Sequence, residues 1–158
     1  MDVVSAEKRS KMMSGIRGKD TRPEILIRKA LFNKGFRYAL GGAGLPGKPD
    51  LVFKKYKAVV FINGCFWHRH ECHLFKWPSS NSEFWRKKIS ANVVRDRANY
   101  EACLGRGYRV AIIWECAIKG KFKIPFDVVT DMLATWVIHN ELEVEISASD
   151  GPGLQSQD

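Results

Sequence analysis

The sequence has 158 residues, of which 45% are hydrophobic and 27% are charged, so it suits one globular domain whose core needs no disulfides. No apolar run approaches the roughly 20 residues of a membrane-spanning helix, and residues 1–13 lack the apolar region of a secretion signal, so we expect a cytoplasmic protein. The net charge is +9, and residues 141–158 hold five acidic and no basic side chains, which leaves +14 on residues 1–140. Such a charge is typical either of a protein with a polyanionic partner or of a soluble basic protein without one.

The N-terminal part of the chain begins with an arm over residues 1–20 that is rich in Lys, Arg, Ser, Met and Gly, and we predict it to be flexible. A helix follows, for which Asp20-Thr21 offers an N-cap, Pro23 lies in the first turn and Gly35 marks the end. After a loop rich in Gly and Pro, two β-like runs flank the polar KKYK and predict an antiparallel hairpin; they are DLVF and AVVFI.

The C-terminal part alternates irregular and regular segments. Residues 64–81 are irregular and dense in Cys, His and aromatic side chains, and a long helix is predicted over residues 82–105. The β-branched run YRVAIIWEC predicts a buried strand, and a last helix covers residues 126–140. We predict an acidic, disordered tail over residues 141–158. The order of elements indicates an α/β fold, with a mixed sheet flanked by helices in a domain over residues 21–140.

Three carboxylates are predicted to face one place. With the hairpin turn centred on Tyr56, Asp50 lies opposite Ile62, which puts a carboxylate beside a main-chain carbonyl, and Mg²⁺ takes oxygen ligands of this kind. Glu24 heads the apolar face of the first helix, and Asp96 interrupts the apolar stripe of the long helix. Because unpaired carboxylates rarely turn toward a core, the joint pattern favours a carboxylate-lined metal site.

Each of these acids also has a simpler interpretation. Asp50 follows a proline and suits a turn, and Glu24 is favoured at a helix N-terminus by the helix dipole. Asp96 has Arg95 and Arg97 as neighbours for a salt bridge, although adjacent residues on a helix point in different directions.

A cluster of cysteines and histidines predicts a metal site. Its members are Cys65, His68, His70, Cys72, His73 and the more distant Cys116. Three or four such ligands suit tetrahedral Zn²⁺, and the supply of thiolates favours a structural site over a catalytic one. The spacing leaves open which histidine is a ligand, and a histidine left over is a candidate general base. Cys103 lies in an apolar helical context and is predicted to be core.

Aromatic and basic residues alternate in the segment FKWPSSNSEFWRKK. Cationic side chains bind phosphates and aromatic rings stack on bases, so this segment favours nucleic acid as the polyanionic partner. The sequence contains no P-loop, no dinucleotide fingerprint and no zinc-deaminase signature, so no nucleotide cofactor is indicated.

Five segments in order resemble the very short patch repair (Vsr) endonucleases over nearly the whole chain up to about residue 140: KMMSGIRGKDTRPE, LPGKPDLVF, FINGCFWHRHEC, FWRKKISANVVRDR and IIWEC. The resemblance implies a fold like that of type II restriction endonucleases, so that residues 21–140 would be an endonuclease domain with a structural zinc. It also implies hydrolysis of one DNA strand on the 5′ side of the thymine in T:G mismatches, which arise by deamination of 5-methylcytosine.

The resemblance implies roles for individual residues. Asp50 would be the direct Mg²⁺ ligand, together with the main-chain carbonyl of Ile62. His68 would be the base that activates water, and Glu24 and Asp96 would hold the water shell of the metal and help to place His68.

Three further sets follow from the resemblance and from the charge of the arm. The structural zinc ligands would be Cys65, His70, Cys72 and Cys116. The rings that wedge into the base stack would be Phe66, Trp67 and Trp85; the simpler interpretation is that they are ordinary core residues, and we favour the wedge because we place all three in polar, cationic loops. The side chains that clamp DNA phosphates would be Arg9, Lys11, Arg17, Lys19 and Arg22.

The chain departs from the family at Ile62 and Asn63, where the family has Thr-His, and this change is expected to alter activity or base contacts. Implied partners are double-stranded DNA with a T:G mismatch, a functionally linked DNA cytosine-5 methyltransferase and repair machinery. We expect a monomer in the bacterial cytoplasm, used at the nucleoid, with no membrane partner. Two rival hypotheses are a restriction-type nuclease that cuts paired duplex at a fixed sequence and a zinc-stabilised DNA-binding module without catalysis.

Overall fold

The computed structural model describes residues 21–148. The predicted basic arm over residues 1–20 and the last residues, 149–158, therefore lie outside the described chain. Among the predicted phosphate-binding residues, this leaves out Arg9, Lys11, Arg17 and Lys19. The helices are α1 (Arg22–Asn33), α2 (Ser82–Gly105), the short α3 (Glu115–Ile118) and α4 (Phe126–Ile138). The strands are β1 (Leu51–Phe53), β2 (Ala58–Asn63), β3 (Arg109–Trp114) and β4 (Glu143–Ile146).

The four strands form one mixed sheet in the order β1-β2-β3-β4. β1 and β2 are an antiparallel hairpin, as predicted, and β3 and β4 each pair in parallel with the preceding strand in that order. A parallel connection needs a long crossover, and α2 supplies it between β2 and β3. The prediction of a mixed sheet flanked by helices is confirmed.

The core has two layers, one on each face of the sheet, because side chains along each strand point alternately to the two faces. Ala58 and Val60 of β2 face a cluster that also contains buried residues of α1 and α4. Val59 and Phe61 face the opposite cluster, which contains Cys103 of α2 and the cysteines of the irregular segment. Successive side chains of a strand point to opposite faces, so α1 and α4 cover one face of the sheet and α2 covers the other.

The prediction of disorder after residue 140 is wrong for residues 143–146, which form β4. The acidic composition indicated a solvated tail, but Val144 and Ile146 alternate with Glu143 and Glu145. This period of two lets Ile146 enter the core, where it is 1% exposed, while both glutamates stay exposed.

The helix boundaries agree closely with the sequence. Thr21 is the N-cap of α1, α2 has the predicted bounds, and α4 ends two residues before the predicted residue 140. The Arg109 guanidinium donates hydrogen bonds to the carbonyl oxygens of Trp136 and Val137 at 2.9 and 2.6 Å, and thereby satisfies the last turn of α4. Across residues 21–148, no helix has the length and apolar character needed to cross a membrane.

Candidate active site and metal centre

Asp50 immediately precedes β1 at the open end of the hairpin. Its carboxylate accepts a hydrogen bond from the main-chain N–H of Ile62 at 2.6 Å. The hairpin register pairs Leu51 with Val60, so Asp50 lies opposite Phe61 and the predicted pairing with Ile62 is wrong by one residue. The turn spans residues 54–57, with a left-handed Lys57, and its centre falls just before Tyr56. The predicted proximity of Asp50 to residue 62 nevertheless holds.

Burial, together with the nearby Glu24 carboxylate, raises the pKa of Asp50 to about 7, against an ordinary value of 3.8. The Ile62 N–H and the His68 ring act in the opposite direction. Glu24 is itself only 7% exposed and accepts a hydrogen bond from the Thr21 hydroxyl at 3.2 Å. Two carboxyl groups that share a buried position repel each other when both are ionised, so this pair suits a bound cation. The oxygen donors fit Mg²⁺.

His68 and Asp96 form the second half of the site. The Nδ1–H of His68 donates a hydrogen bond to the Asp96 carboxylate at 2.5 Å, and the two side chains are 26% and 20% exposed. This bond orients the ring and places the proton on Nδ1, which leaves Nε2 as an acceptor. The partner of Asp96 is thus His68 rather than a neighbouring arginine. Both residues line a cavity of about 540 Å³ between α2 and the sheet.

The zinc-type cluster consists of Cys65, His70, Cys72 and Cys116, whose ligand atoms all lie within 4.8 Å of one another. Nδ1 of His70 is 3.5 Å from the Cys65 sulfur and 3.4 Å from the Cys116 sulfur. The His70 ring stacks on Trp114 with centroids 4.2 Å apart and an interplanar angle of 7°. The structure thus selects His70, among the histidines that the spacing left open, for this cluster.

Main-chain N–H groups surround the sulfur atoms. The N–H of Leu74 donates to Cys72 at 3.4 Å, and the N–H of Ala148 donates to Cys116 at 3.3 Å. The thiol of Cys65 and the ring of His70 lower the pKa of Cys116 to about 4, while the same contact and burial raise the pKa of Cys65. A thiolate is therefore stabilised in the cluster. Three sulfurs and one imidazole at these separations fit Zn²⁺.

The remaining cysteine and histidine lie outside the cluster. Cys103 is buried on α2, as predicted, and its thiol donates to the carbonyl oxygen of Pro46 at 3.4 Å. His73 is exposed and packs edge-on against Phe122. Gly120 has a φ of +94°, a backbone conformation that is strained for a residue with a side chain, so glycine is favoured at this turn beside His73.

The three predicted wedge residues lie together. The ring centroids of Phe66, Trp67 and Trp85 are 5.3 to 5.9 Å apart. The prediction that all three lie in polar loops is wrong for Trp85, which lies on α2 and is only 9% exposed. The first turn of α2 turns this ring inward against Phe66, whereas Phe66 and Trp67 are half-buried in the irregular segment.

Comparison with known proteins places this geometry in a family. The sequence profile described as DNA mismatch endonuclease Vsr matches residues 1–74. The chain is 41% identical over 136 residues to the DNA mismatch endonuclease Vsr of Escherichia coli (strain K12), an alignment that covers 86% of this chain and 87% of that protein. The chain belongs to the Vsr family of DNA mismatch endonucleases. It is a DNA endonuclease with a restriction-endonuclease-like fold.

Other Vsr-family relatives are named as strand-nicking enzymes. The type II nicking enzyme V.NmeAIP of Neisseria meningitidis serogroup A is 46% identical over 120 residues, which cover 76% of this chain and 86% of that protein. The type II nicking enzyme V.XorIIP of Xanthomonas oryzae pv. oryzae is 41% identical over 117 residues, 74% of this chain and 86% of that protein. The chain therefore spans most of the length of each of these Vsr relatives.

Two polar contacts of this Vsr-family site were not predicted from the sequence. The buried Asn63 amide donates to the Tyr100 hydroxyl at 2.7 Å and ties β2 to α2 one turn after Asp96. The Asn92 amide donates to the carbonyl oxygen of Trp67 at 3.0 Å and anchors the aromatic cluster to α2. Tyr100 lies on the same helical stripe as Asp96, and this pattern could have identified Tyr100 as a residue that faces the site.

Proposed function

We propose that this endonuclease nicks one DNA strand on the 5′ side of the thymine in a T:G mismatch by Mg²⁺-dependent phosphodiester hydrolysis. The observation that carries the proposal is the pair formed by the half-buried Asp50 carboxyl and the buried Glu24 carboxyl, beside the hydrogen-bonded His68–Asp96 pair. The name of the Escherichia coli relative supports the mismatch as the substrate, and the names of the nicking enzymes support cleavage of a single strand.

Asp50 and the main-chain carbonyl of Ile62 would hold the Mg²⁺ ion, and Glu24 and Asp96 would orient its water shell. When bound, the ion neutralises the charge that develops on the phosphate and lowers the pKa of a bound water. Asp50 suits this role because its carboxylate lies at the open end of the hairpin, and the Ile62 N–H fixes its direction.

His68 would accept the proton of the attacking water through Nε2. The hydrogen bond from Nδ1 to Asp96 holds the ring in the required tautomer and stabilises the imidazolium that forms. General-base assistance of this kind typically contributes about 10²–10⁴-fold to the rate. His68 thus covers part of the role that a lysine has in the usual restriction-endonuclease motif.

The cluster of Cys65, His70, Cys72 and Cys116 would bind a structural Zn²⁺. Its ligands come from the first half of the irregular segment and from α3, so the ion would cross-link a part of the chain that has little regular structure of its own. The same segment carries His68, Phe66 and Trp67, and the zinc would therefore help to position these side chains.

Phe66, Trp67 and Trp85 would recognise the mismatch by insertion into the base stack. A T:G wobble pair stacks weakly, so insertion there costs less than the few kcal/mol per step that normal duplex requires. Basic side chains would hold the backbone phosphates; we assign this role to Arg9, Lys11, Arg17, Lys19 and Arg22. The biological source of the substrate would be a DNA cytosine-5 methyltransferase, with repair machinery acting after the nick and the enzyme acting as a monomer.

The test is a nicking assay on duplexes that differ only by a T:G or a T:A pair, each incubated with Mg²⁺ or with EDTA. We expect the enzyme to nick only the T:G duplex and only in the presence of Mg²⁺. The nick should lie on the 5′ side of the thymine. Equal cleavage of both duplexes would favour a restriction-type nuclease. Binding without cleavage in Mg²⁺ would favour a DNA-binding module and refute the proposal.

Replacing Trp67 with alanine is expected to leave the fold intact and to reduce the ratio of T:G to paired-duplex affinity by about tenfold, because stacking contributes about 1–3 kcal/mol per base. The measurement is a pair of binding titrations with the two duplexes. A matched control is Phe32→Ala, which removes a ring that is 50% exposed on α1. A ratio that Trp67→Ala leaves unchanged would assign the wedge to another group.

The raised pKa of Asp50 predicts opposite pH dependences for stability and for metal binding. The folded chain holds this proton up to about pH 7, whereas the unfolded chain releases it near 3.8, so stability without Mg²⁺ falls as the pH rises between these values. Mg²⁺ affinity should rise about tenfold per pH unit up to about 7 and then level off.

Urea unfolding of the Mg²⁺-free, zinc-replete protein from pH 4 to 8 measures the first dependence, and calorimetric Mg²⁺ titration measures the second. Asp50→Asn is the control, because its side chain cannot ionise. Equal pH slopes for the wild type and Asp50→Asn would show that another group titrates.

A further inference from the structure

Two arginines from different parts of the chain converge on one indole. The guanidinium carbon of Arg86, near the start of α2, lies 4.6 Å from the ring centroid of Trp77, and that of Arg69, in the irregular segment, lies 5.7 Å from the same centroid. Both arginines are exposed and Trp77 is half-buried. Both cations thus lie against one ring that neither the metal sites nor the predicted wedge uses.

The electrostatics of this group favour an added anion. Over residues 21–148, no carboxylate forms an ion pair with Arg69 or Arg86. Arg69 also has a φ of +49°, a left-handed conformation that is uncommon for a residue with a side chain. The face of an indole attracts each cation only modestly at an exposed site and does not neutralise it. Two guanidinium forks with unfilled hydrogen-bonding capacity match a phosphate group in charge and geometry.

The position of the group points to the DNA backbone. Trp77 packs edge-on against Phe75 with centroids 5.0 Å apart, and Phe75 stacks on Phe66 with centroids 6.3 Å apart. The arginine pair therefore borders the aromatic cluster that would enter the base stack. A duplex that receives Phe66 between its bases brings backbone phosphates close to this border.

We propose that Arg69, Arg86 and Trp77 form a clamp for one backbone phosphodiester beside the intercalation site. The indole holds the two guanidinium groups in position, and the single negative charge of the phosphodiester, shared between them, offsets their mutual repulsion. The clamp acts on the backbone and carries no sequence information, so it strengthens the binding of mismatched and paired duplex alike. Its placement next to the mismatch rests on the proposed function, whereas its affinity for duplex DNA does not.

The first test replaces Arg86 with methionine, which keeps the length of the side chain and removes its charge. Affinity for T:G and paired duplexes should fall by a similar factor, about tenfold at low salt, and the slope of log K against log salt should decrease by about 0.9. The single-turnover nicking rate at saturating DNA should be unchanged. Lys55→Met, in the exposed turn at the far end of the hairpin, is the matched one-charge control.

The second test locates the phosphate. Duplexes that carry one neutral methylphosphonate at successive positions around the mismatch are titrated with the wild type and with Arg86→Met. The clamp predicts one position at which the methylphosphonate weakens DNA binding by the wild type but not by Arg86→Met. Trp77→Leu, which keeps both charges, should lose part of the same effect.

The clamp is refuted if Arg86→Met behaves like Lys55→Met, or if every methylphosphonate affects the wild type and Arg86→Met equally. Failure of the proposed function gives a different pattern. If the wild type shows no preference for T:G duplex, the salt dependence of its binding to paired duplex, compared with that of Arg86→Met, still tests the clamp.

Discussion

Asp50→Ala is expected to reduce nicking of T:G duplex by about 10³-fold or more while affinity for the duplex changes little. Removal of the central metal ligand forfeits several kcal/mol of charge stabilisation, and about 1.4 kcal/mol corresponds to each tenfold loss in rate. Binding should persist because the phosphate contacts and the aromatic cluster lie elsewhere. The measurements are single-turnover nicking in Mg²⁺ and a binding titration without Mg²⁺.

Asp127→Ala is the matched control, since it removes an exposed carboxylate from the first turn of α4 and leaves the site intact. Stability should not explain the result, because the raised pKa of Asp50 indicates that its ionised form is unfavourable in the folded chain. Nicking by Asp50→Ala at the wild-type rate would remove Asp50 from the catalytic site and, with it, the proposed mechanism.

Cys116→Ser is expected to lose the zinc that we propose for the sulfur cluster and to lower the melting temperature by at least about 10 °C. Structural zinc sites contribute folding free energy directly, and for a domain of this size each kcal/mol corresponds to roughly 2–4 °C. A serine hydroxyl does not replace a thiolate, and Cys116 also links the cluster to Ala148 through its sulfur. Zinc content of the purified protein and thermal unfolding provide the two measurements.

Cys103→Ser separates the loss of a ligand from the loss of a buried thiol. Cys103 is as buried as Cys116 but lies outside the cluster, so its replacement should cost about 1–2 kcal/mol and leave the zinc content unchanged. A metal-replete and equally stable Cys116→Ser would contradict the ligand assignment. Loss of zinc from both variants would show that general destabilisation, rather than ligation, releases the ion.

Local patterns were sufficient to predict most of the fold. The long helix ends where Gly105 and Gly107 interrupt it, and the hairpin follows from two apolar runs around a polar turn. The register of the hairpin was harder to predict, because it depends on whether three or four residues form the turn. The left-handed conformation of Lys57 gives a turn of four residues. β4 was missed because composition outweighed a short alternation that only the neighbouring strand makes stable.

The candidate site was predictable to the extent that burial constrains charge. Glu24 is buried and lies close to Asp50, and Asp96 shares a hydrogen bond with His68, so the apolar stripes that these acids interrupt were the useful signal. The choice of His70 for the sulfur cluster required three-dimensional distances, since spacing allowed several histidines. The Asn63–Tyr100 hydrogen bond was not predictable, because it joins residues 37 positions apart through the packing of α2 on β2.

β4 lies at an edge of the sheet, and within the described chain no further strand pairs with its outer side. An open strand edge is a template for aggregation between molecules. β4 has only four residues, and its exposed Glu143 and Glu145 would bring like charges together whenever two copies aligned edge to edge. The acidity of this segment, unusual in a cationic chain, thus disfavours edge-to-edge pairing of β4 between two copies.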